Sequence, residues 1–379
     1  MNMVKGLRNR RLGNSLGKNL RLVQSLLYVA AMESDRMKTD WIEKYRAIFA
    51  SKKFTHFLNG VTLTLPNGKE INLKVEDFAK RPSAEGFQFS KHSFITRTTT
   101  SEGRIGTGYG EGEDMLLAFQ KSIAESIERA VFFSCASHYS ETSSGWAVHL
   151  SQKAAQRSAL NELLERDAVL CHWLTSTPFY EIEESSFPSW SKAWTETELK
   201  KLNGKMRLLF AHAGHVPVIL CVLRTDDGKT FVAQGASKSL ESAIYHAMGE
   251  ACRIASSAHA EIPDFQPFQN PKATPWDHAM AYASGTQFPK WAFGARISLE
   301  RAKRIQNELL KKLDTKKIAP HFKTIRCGGL YISQCTSNNV QSLFFGKNED
   351  AESRGLINHA RLKEIKQNFV LNPQFHCVP

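Results

Sequence analysis

The strongest periodic signal along the chain is helical. Apolar residues recur at three- and four-residue spacing over 113–136 and 151–174, predicting two long helices. Residues 239–258 predict a third, 298–313 a more charged fourth, and 20–32 and 41–49 two shorter ones. Strand-like stretches lie between them. Residues 61–65 and 71–75 flank Pro66-Asn67-Gly68, and Asn-Gly suits a tight turn, so a hairpin is expected. Residues 216–223 and 230–234 flank Asp226-Asp227-Gly228 in the same way, and 330–333 and 342–345 also read as strands. The stretch 90–112, just before the first long helix, is polar and rich in Ser, Thr and Gly. Helices and strands mix without a βαβ rhythm, so the expected fold class is mixed α/β (α+β). No low-complexity linker divides the chain. The best boundary lies within 80–93, giving 1–85 (basic tail, helices and hairpin) and 86–379 (the larger domain).

The two longest helices carry nearly the same phrase. One reads Ala124-Glu125-Ser126-Ile127-Glu128-Arg129-Ala130, the other Asn161-Glu162-Leu163-Leu164-Glu165-Arg166-Asp167. In each, Glu, Glu and Arg fall at i, i+3 and i+4 and share one helical face. Ile123, Ile127, Leu160, Leu163 and Leu164 flank them, so the carboxylates stand beside a stripe that should be buried. A single such helix reads as an ordinary solvated face. Two matching helices point to a cation, because partly buried carboxylates repel one another unless one joins them. Mg²⁺ suits carboxylate and phosphate oxygens, and the arginines would face phosphate or lock the glutamates. A third helix adds Glu250 and Arg253 at i, i+3. Alternating glycines, Gly106, Gly108, Gly110 and Gly112, lead into the first helix and could let backbone N–H groups approach phosphate. No Walker phosphate-loop or dinucleotide-binding fingerprint is present.

Glycines, a helix with E-x-x-E-R, a second helix with E-x-x-E-R-D-A and a later helix with Glu250 together resemble the YcaO family. Ser144-Gly145-Trp146-Ala147 and Val216-Pro217-Val218-Ile219 followed by Gly235 also match its order. The resemblance is good over 90–260 and looser elsewhere. It implies a YcaO-like fold, with long helices packed on mostly antiparallel sheets. It also implies an ATP- and Mg²⁺-dependent enzyme that activates peptide backbone amides. In the commonest case a Cys, Ser or Thr side chain of a ribosomally made precursor peptide closes to thiazoline or oxazoline. A thioamide- or amidine-forming variant and a non-catalytic subunit are the alternatives. By resemblance, Glu125, Glu162, Glu165 and Glu250 are metal-ligand candidates. Gly108, Gly110, Gly112, Lys121, Ser122, Glu128, Arg129, Arg166 and Arg253 are ATP-binding candidates. The C-terminal carboxylate of Pro379 is the candidate catalytic base. The implied partners are the precursor peptide, an E1-like or leader-recognition protein and a flavin dehydrogenase, with a homo- or hetero-oligomer possible in principle.

The chain departs from the family pattern at several positions. A small hydroxyl residue, an Asn and a Glu expected between the two helices are Ala147, Leu150 and Ala154 here. A Ser often found four positions before Glu125 is Lys121, beside Ser122, and a Gln often found three after Glu250 is Arg253. His149 lies in the altered stretch, as a substitute contact or a core histidine. These changes leave three options: one metal instead of two, a divergent ATP site, or a scaffold subunit.

Composition narrows the classes. The chain has 379 residues, 42% hydrophobic and 23% charged, which is globular and excludes intrinsic disorder. No apolar run approaches the roughly 20 residues that cross a bilayer. Seven cysteines with no C-x-x-C pair argue against disulfide and Cys–zinc frameworks and suit a reducing, cytoplasmic setting. The formal charge is +13, and residues 1–21 carry Lys5, Arg8, Arg10, Arg11, Lys18 and Arg21 with no acid. A nucleic-acid arm, a transit peptide and a plain basic tail all fit that segment. No nucleic-acid reader module accompanies it.

Overall fold

Three sheets organise the described residues, and each meets a helix bearing the E-x-x-E-R or Glu–Arg pattern. The structure, a computed structural model, describes residues 60–65, 69–80, 90, 92–135, 142–197, 199, 204–212, 216, 218–237, 239–261, 288–312, 315–374 and 376–377. The helices expected at 20–32 and 41–49, the basic N-terminus, the turn 66–68 and Pro379 lie outside the described residues. The first sheet has the order β1 (Val61–Thr64), β2 (Glu70–Lys80), β3 (His92–Thr100), β4 (Ile105–Gly112), all antiparallel. Thr64 pairs with Glu70, which is the expected hairpin. The boundary expected at residue 85 falls between β2 and β3, two strands paired with each other.

The second sheet contains β6 (Phe179–Ile182), β7 (Lys205–Ala211), β8 (Val218–Arg224), β9 (Thr230–Ala236) and β10 (Phe293–Ile297), in the order β10-β6-β7-β8-β9. Only β10 against β6 is parallel. The third joins β5 (Trp146–His149), β11 (His321–Cys327) and β12 (Leu330–Thr336) in the order β11-β12-β5. Eight α-helices are described: α1 (Met115–Cys135), α2 (Gln152–Leu174), α3 (Ser189–Thr197), α4 (Leu240–Glu261), α5 (Leu299–Lys312), α6 (Thr315–Ile318), α7 (Asn348–Ser353) and α8 (His359–Ile365). The class is mixed α/β with mostly antiparallel sheets.

Alternation on the second sheet shows why 216–223 is continuously apolar. Val218, Leu220 and Val222 face the cluster built on α2, while Ile219, Cys221 and Leu223 face the cluster built on α4 and α5. A strand covered on both faces has no polar face to alternate with. The strand expected at 342–345 does not form. That stretch is irregular, although Leu343 and Phe344 are buried. Its entry is set by the Gln341 N–H donating to Asp167 Oδ1 at 2.8 Å, and the Gln341 amide donates to the carbonyls of Ser342 and Leu356. Burial without a pairing strand gave it an apolar run.

The polar, glycine-rich stretch 90–112 is a hairpin of β3 and β4, not a loop. A Cβ on Gly106 would lie 2.1 Å from the Ser126 carbonyl oxygen of α1. On Gly108 it would lie 2.1 Å from that of Ser122, and on Gly110 1.8 Å from that of Ala118. The glycines let a helix backbone rest directly on a strand. The same construction recurs 125 residues later. Phe94 pairs with Gly110 in β3–β4, and Ile219 with Gly235 in β8–β9. A Cβ on Gly235 would meet the Ala243 carbonyl oxygen at 2.5 Å and the Ala247 nitrogen at 2.7 Å, the counterparts of Ala118 and Ser122. Asp114 accepts from the Leu117 N–H at the start of α1, and Ser239 accepts from the Ser242 N–H at the start of α4. In this strand–strand–helix repeat Glu125 corresponds to Glu250 and Glu128 to Arg253.

Candidate functional site

β4 is the outer strand of its sheet, and α1 caps its free edge. Thr107, Tyr109 and Glu111 turn backbone groups away from β3. Arg129 Nη1 donates to the Thr107 carbonyl at 2.9 Å, the Tyr109 N–H donates to Glu125 Oε2 at 2.7 Å, and Lys121 Nζ donates to the Glu111 carbonyl at 3.2 Å. Four helical residues advance about 6 Å and two strand residues about 6.6 Å, so the contacts stay in step. Glu125 Oε1 also pairs with Arg129 Nη2 at 2.5 Å. The first E-x-x-E-R is thus fastened to a sheet edge through its Glu and Arg, and Glu128 projects from the same helical face.

The second phrase is fastened by backbone donors from elsewhere in the fold. Gly145 has φ +79, and a Cβ there would meet the Cys335 carbonyl oxygen at 2.3 Å; its N–H donates to Glu162 Oε2 at 3.2 Å. Glu162 Oε1 accepts from Arg166 Nη2 at 2.9 Å. At the end of β9 the Ala236 N–H donates to Glu165 Oε2 at 2.8 Å. From α4, Glu250 takes the Arg253 Nε at 2.9 Å on Oε2 and Arg253 Nη2 on Oε1. The Arg253 guanidinium lies over the Tyr109 ring, 4.9 Å from its centroid.

These groups form one electrostatic cluster. Burial, then the charges of Glu162 and Glu125, push Glu128 well above the usual carboxylate range, against the pull of Arg129 and Arg166. Among the described residues no donor hydrogen-bonds to it. Burial also raises Glu162, opposed by Arg166 and the Gly145 N–H. Glu165 is raised to about 7 by burial, with Glu162 and Glu250 adding to the shift. Burial works the same way on Glu250, but Arg253, helped by Arg129 and Arg166, holds it below its ordinary value. Five carboxylates (Glu125, Glu128, Glu162, Glu165, Glu250) face three guanidiniums (Arg129, Arg166, Arg253), which leaves two negative charges in excess once all five are ionised, as a bound cation would make them. Glu162 and Glu250 keep 25% and 35% of their side-chain surface, so the cluster opens to solvent.

The donor set fits Mg²⁺ with a phosphate ligand. Among the described residues no three His, Cys, Asp or Glu side chains form a ready-made metal cage. Mg²⁺ does not require one, since it takes one or two carboxylates and completes its shell with water and phosphate oxygens. Glu128, without a hydrogen-bond donor, and the excess negative charge are what such a cation would answer.

Glu125, Glu128, Arg129, Glu162, Glu165, Arg166, Glu250 and Arg253 therefore come together. Ser122 does not join them. It is buried under α1, with its hydroxyl 2.7 Å from Thr96 Oγ1 and donating to the Phe119 carbonyl. Gly108 and Gly110 sit against the α1 backbone, and their register with Thr96 and Phe94 turns their N–H groups toward β3. The expected phosphate-approaching loop is thus a ladder strand. Gly112 ends that strand, and Lys121 caps its edge. Ala147 is buried in β5 opposite Ser333, Leu150 is exposed, and Ala154 lies in the first turn of α2, donating its N–H to the Ser151 cap. His149 is exposed, not a core histidine, and its Nδ1 accepts from the Leu150 N–H. One participant had no sequence signal. Tyr109 holds Glu125 by its backbone and Arg253 by its ring. Asp167, next to Arg166, turns away from the cluster to a buried pair with Arg361.

Fold and site define a mixed α/β protein with an acid–arginine cluster shared by three helices. Residues 128–319 match the family described as YcaO cyclodehydratase, ATP- and Mg²⁺-binding. The chain belongs to the YcaO family. The match includes Glu128 and everything after it in the cluster. A solved heterocyclase in complex with substrate and cofactor shares the fold, with 12% identity and a TM-score of 0.51 over 79% of this chain and 54% of that one. This chain therefore spans about half of that heterocyclase. YcaO from Methanopyrus kandleri bound with AMPPCP and Mg²⁺ is 14% identical, covering 69% of this chain and 85% of that one, with a TM-score of 0.48. The E. coli microcin synthetase McbBCD complex is 14% identical over 69% and 87%, with a TM-score of 0.43. No curated protein matches the sequence significantly. Among the described residues no helix is long and apolar enough to cross a membrane.

Proposed function

We propose that this chain binds ATP with Mg²⁺ and activates backbone amides of a ribosomally made precursor peptide, closing Cys, Ser or Thr to thiazoline or oxazoline. The observation that carries the reading is Glu128, buried beside the charges of Glu162 and Glu125 and without a hydrogen-bond donor among the described residues. Of the expected metal-ligand set Glu125, Glu162, Glu165 and Glu250, Glu165 keeps an oxygen open and would hold Mg²⁺ together with Glu128, with Arg129 and Arg166 turned to phosphate oxygens. Bound ATP would supply the phosphoryl group that lets the peptide carbonyl oxygen leave as phosphate, once Sγ or Oγ has attacked the carbonyl carbon, with ADP as the other product. The chain itself supplies fixed geometry. N–H groups of Tyr109, Gly145 and Ala236 each hold one oxygen of a glutamate, so little reorganisation is needed when charge arrives. We assign peptide recruitment to an E1-like or leader-recognition partner, with a flavin dehydrogenase for any later oxidation.

Calorimetry of the full chain with Mg·AMPPCP tests this reading. Micromolar binding that Glu162→Gln abolishes is the expected result. Absence of binding to the unmutated chain, or unchanged binding in the variant, overturns it. A second reading rests on Ala147, Leu150 and Ala154, none of which offers a ligand atom from its side chain. It makes the chain a divergent subunit that binds nucleotide without turning it over. Nucleotide binding with no ATP turnover in the presence of peptide and partner selects that reading.

A further inference from the structure

Arg253 breaks the internal symmetry of the site. In the strand–strand–helix repeat it stands where Glu128 stands in the other copy, so one copy offers Glu-x-x-Glu and the other Glu-x-x-Arg. We propose that Arg253 is a built-in counter-cation that takes the place of a divalent ion at Glu250, so that the site binds one divalent cation per nucleotide. The proposal rests on the ATP reading above and adds its metal stoichiometry.

Three features carry it. The guanidinium engages both oxygens of Glu250, through Nε at 2.9 Å and through Nη2. A bidentate arginine satisfies a carboxylate in charge and geometry together. The cation is also held in place from its other side. The Tyr109 ring lies 4.9 Å from it, and the Tyr109 N–H is tied to Glu125, so Arg253 is fixed between the two copies of the repeat. Lastly, the remaining demand is for one ion. With all three arginines counted and all five carboxylates ionised, the excess is two negative charges. The acceptors left open among the described residues are Glu128 and Oε1 of Glu165. Two carboxylates are what Mg²⁺ takes from a protein when phosphate and water complete its shell.

The test counts Mn²⁺ bound to the full chain at saturating AMPPCP, using the electron paramagnetic resonance signal of free Mn²⁺, with bound nucleotide measured in parallel. One Mn²⁺ per bound AMPPCP is expected for the unmutated chain and for Arg253→Lys, and two for Arg253→Gln. Two in the unmutated chain, or one in Arg253→Gln, overturns the proposal. The unmutated count decides even where a variant fails to fold. Absence of bound AMPPCP removes the ATP reading and this one with it, whereas two Mn²⁺ with AMPPCP bound removes this one alone.

Discussion

Glu165 changes charge close to neutral pH, and this gives the metal-free chain a pH-dependent component of stability. Its carboxyl lies at about 7 in the folded chain and at an ordinary 4.5 when exposed. Between those values the unfolded chain has released the proton and the folded chain retains it. The unfolded state binds fewer protons, so stability falls as pH rises through that window and levels off above it. Glu128, also raised, acts in the same direction. The urea midpoint of the metal-free chain should therefore fall more steeply, or climb less, between pH 5 and pH 7.5 than that of Glu165→Gln, the buried His172, held to about 3, supplying an opposing rise common to both chains. Equal slopes in the two chains would contradict the burial of this carboxylate. At this scale much was legible in sequence. Spacings of i, i+3 and i+4 placed Glu125, Glu128 and Arg129, then Glu162, Glu165 and Arg166, on common faces. Tyr109 was not legible, because its part depends on a strand edge meeting a helix far along the chain.

At the scale of elements, the seating of α1 on β4 decides whether Glu125 reaches its place. A Cβ on Gly108 would lie 2.1 Å from the Ser122 carbonyl oxygen and 2.3 Å from the Ser126 nitrogen, both backbone atoms of α1. Gly112, on the same strand, would place a Cβ no closer than 3.6 Å to its neighbours. Gly108→Ala should therefore cost about 1–3 kcal/mol by overpacking and weaken Mg·AMPPCP binding as α1 lifts. Gly112→Ala should leave both near their starting values. Thermal melts and calorimetry of the pair check this, and equal effects from the two substitutions would rule out close packing as the reason for the glycines. The long helices were legible because a face buried on a sheet writes a 3.6-residue period. β4 was not, since alternating glycines carry no hydrophobic alternation and are poor strand formers. β5, β6 and β10, of four or five residues each, are too short to show a period.

At the scale of the described unit, two kinds of repetition coexist, and the sequence displayed only one. The shared phrase of α1 and α2 is chemical, since their surroundings differ: α1 lies on the first sheet, α2 between the second and third. The structural repeat joins α1 to α4, where Gly110 and Gly235, Ala118 and Ala243, and Glu125 and Glu250 match while most positions between them do not. What secures α2 against the C-terminal segment is a buried pair that spacing could not reveal. Asp167 is fully buried and Arg361 is 5% exposed. Arg361 Nη2 meets Asp167 Oδ2 at 2.9 Å and its Nε meets Oδ1 at 3.1 Å, while Oδ1 also accepts the Gln341 N–H. Further on, the Trp173 indole donates to the Gln374 carbonyl and Asn372 Nδ2 to the Trp173 carbonyl, so the tail follows the end of the same helix. Removing one partner strands the other charge inside protein, a loss of about 3–5 kcal/mol. Arg361→Met should thus destabilise the chain strongly and expose the segment after Gln341 to limited proteolysis. Pairing it with Asp167→Leu should recover a large part of the loss, because two apolar side chains leave no unpaired charge. A double variant as unstable as the sum of the single ones would mean that the pair is not the link between α2 and the tail.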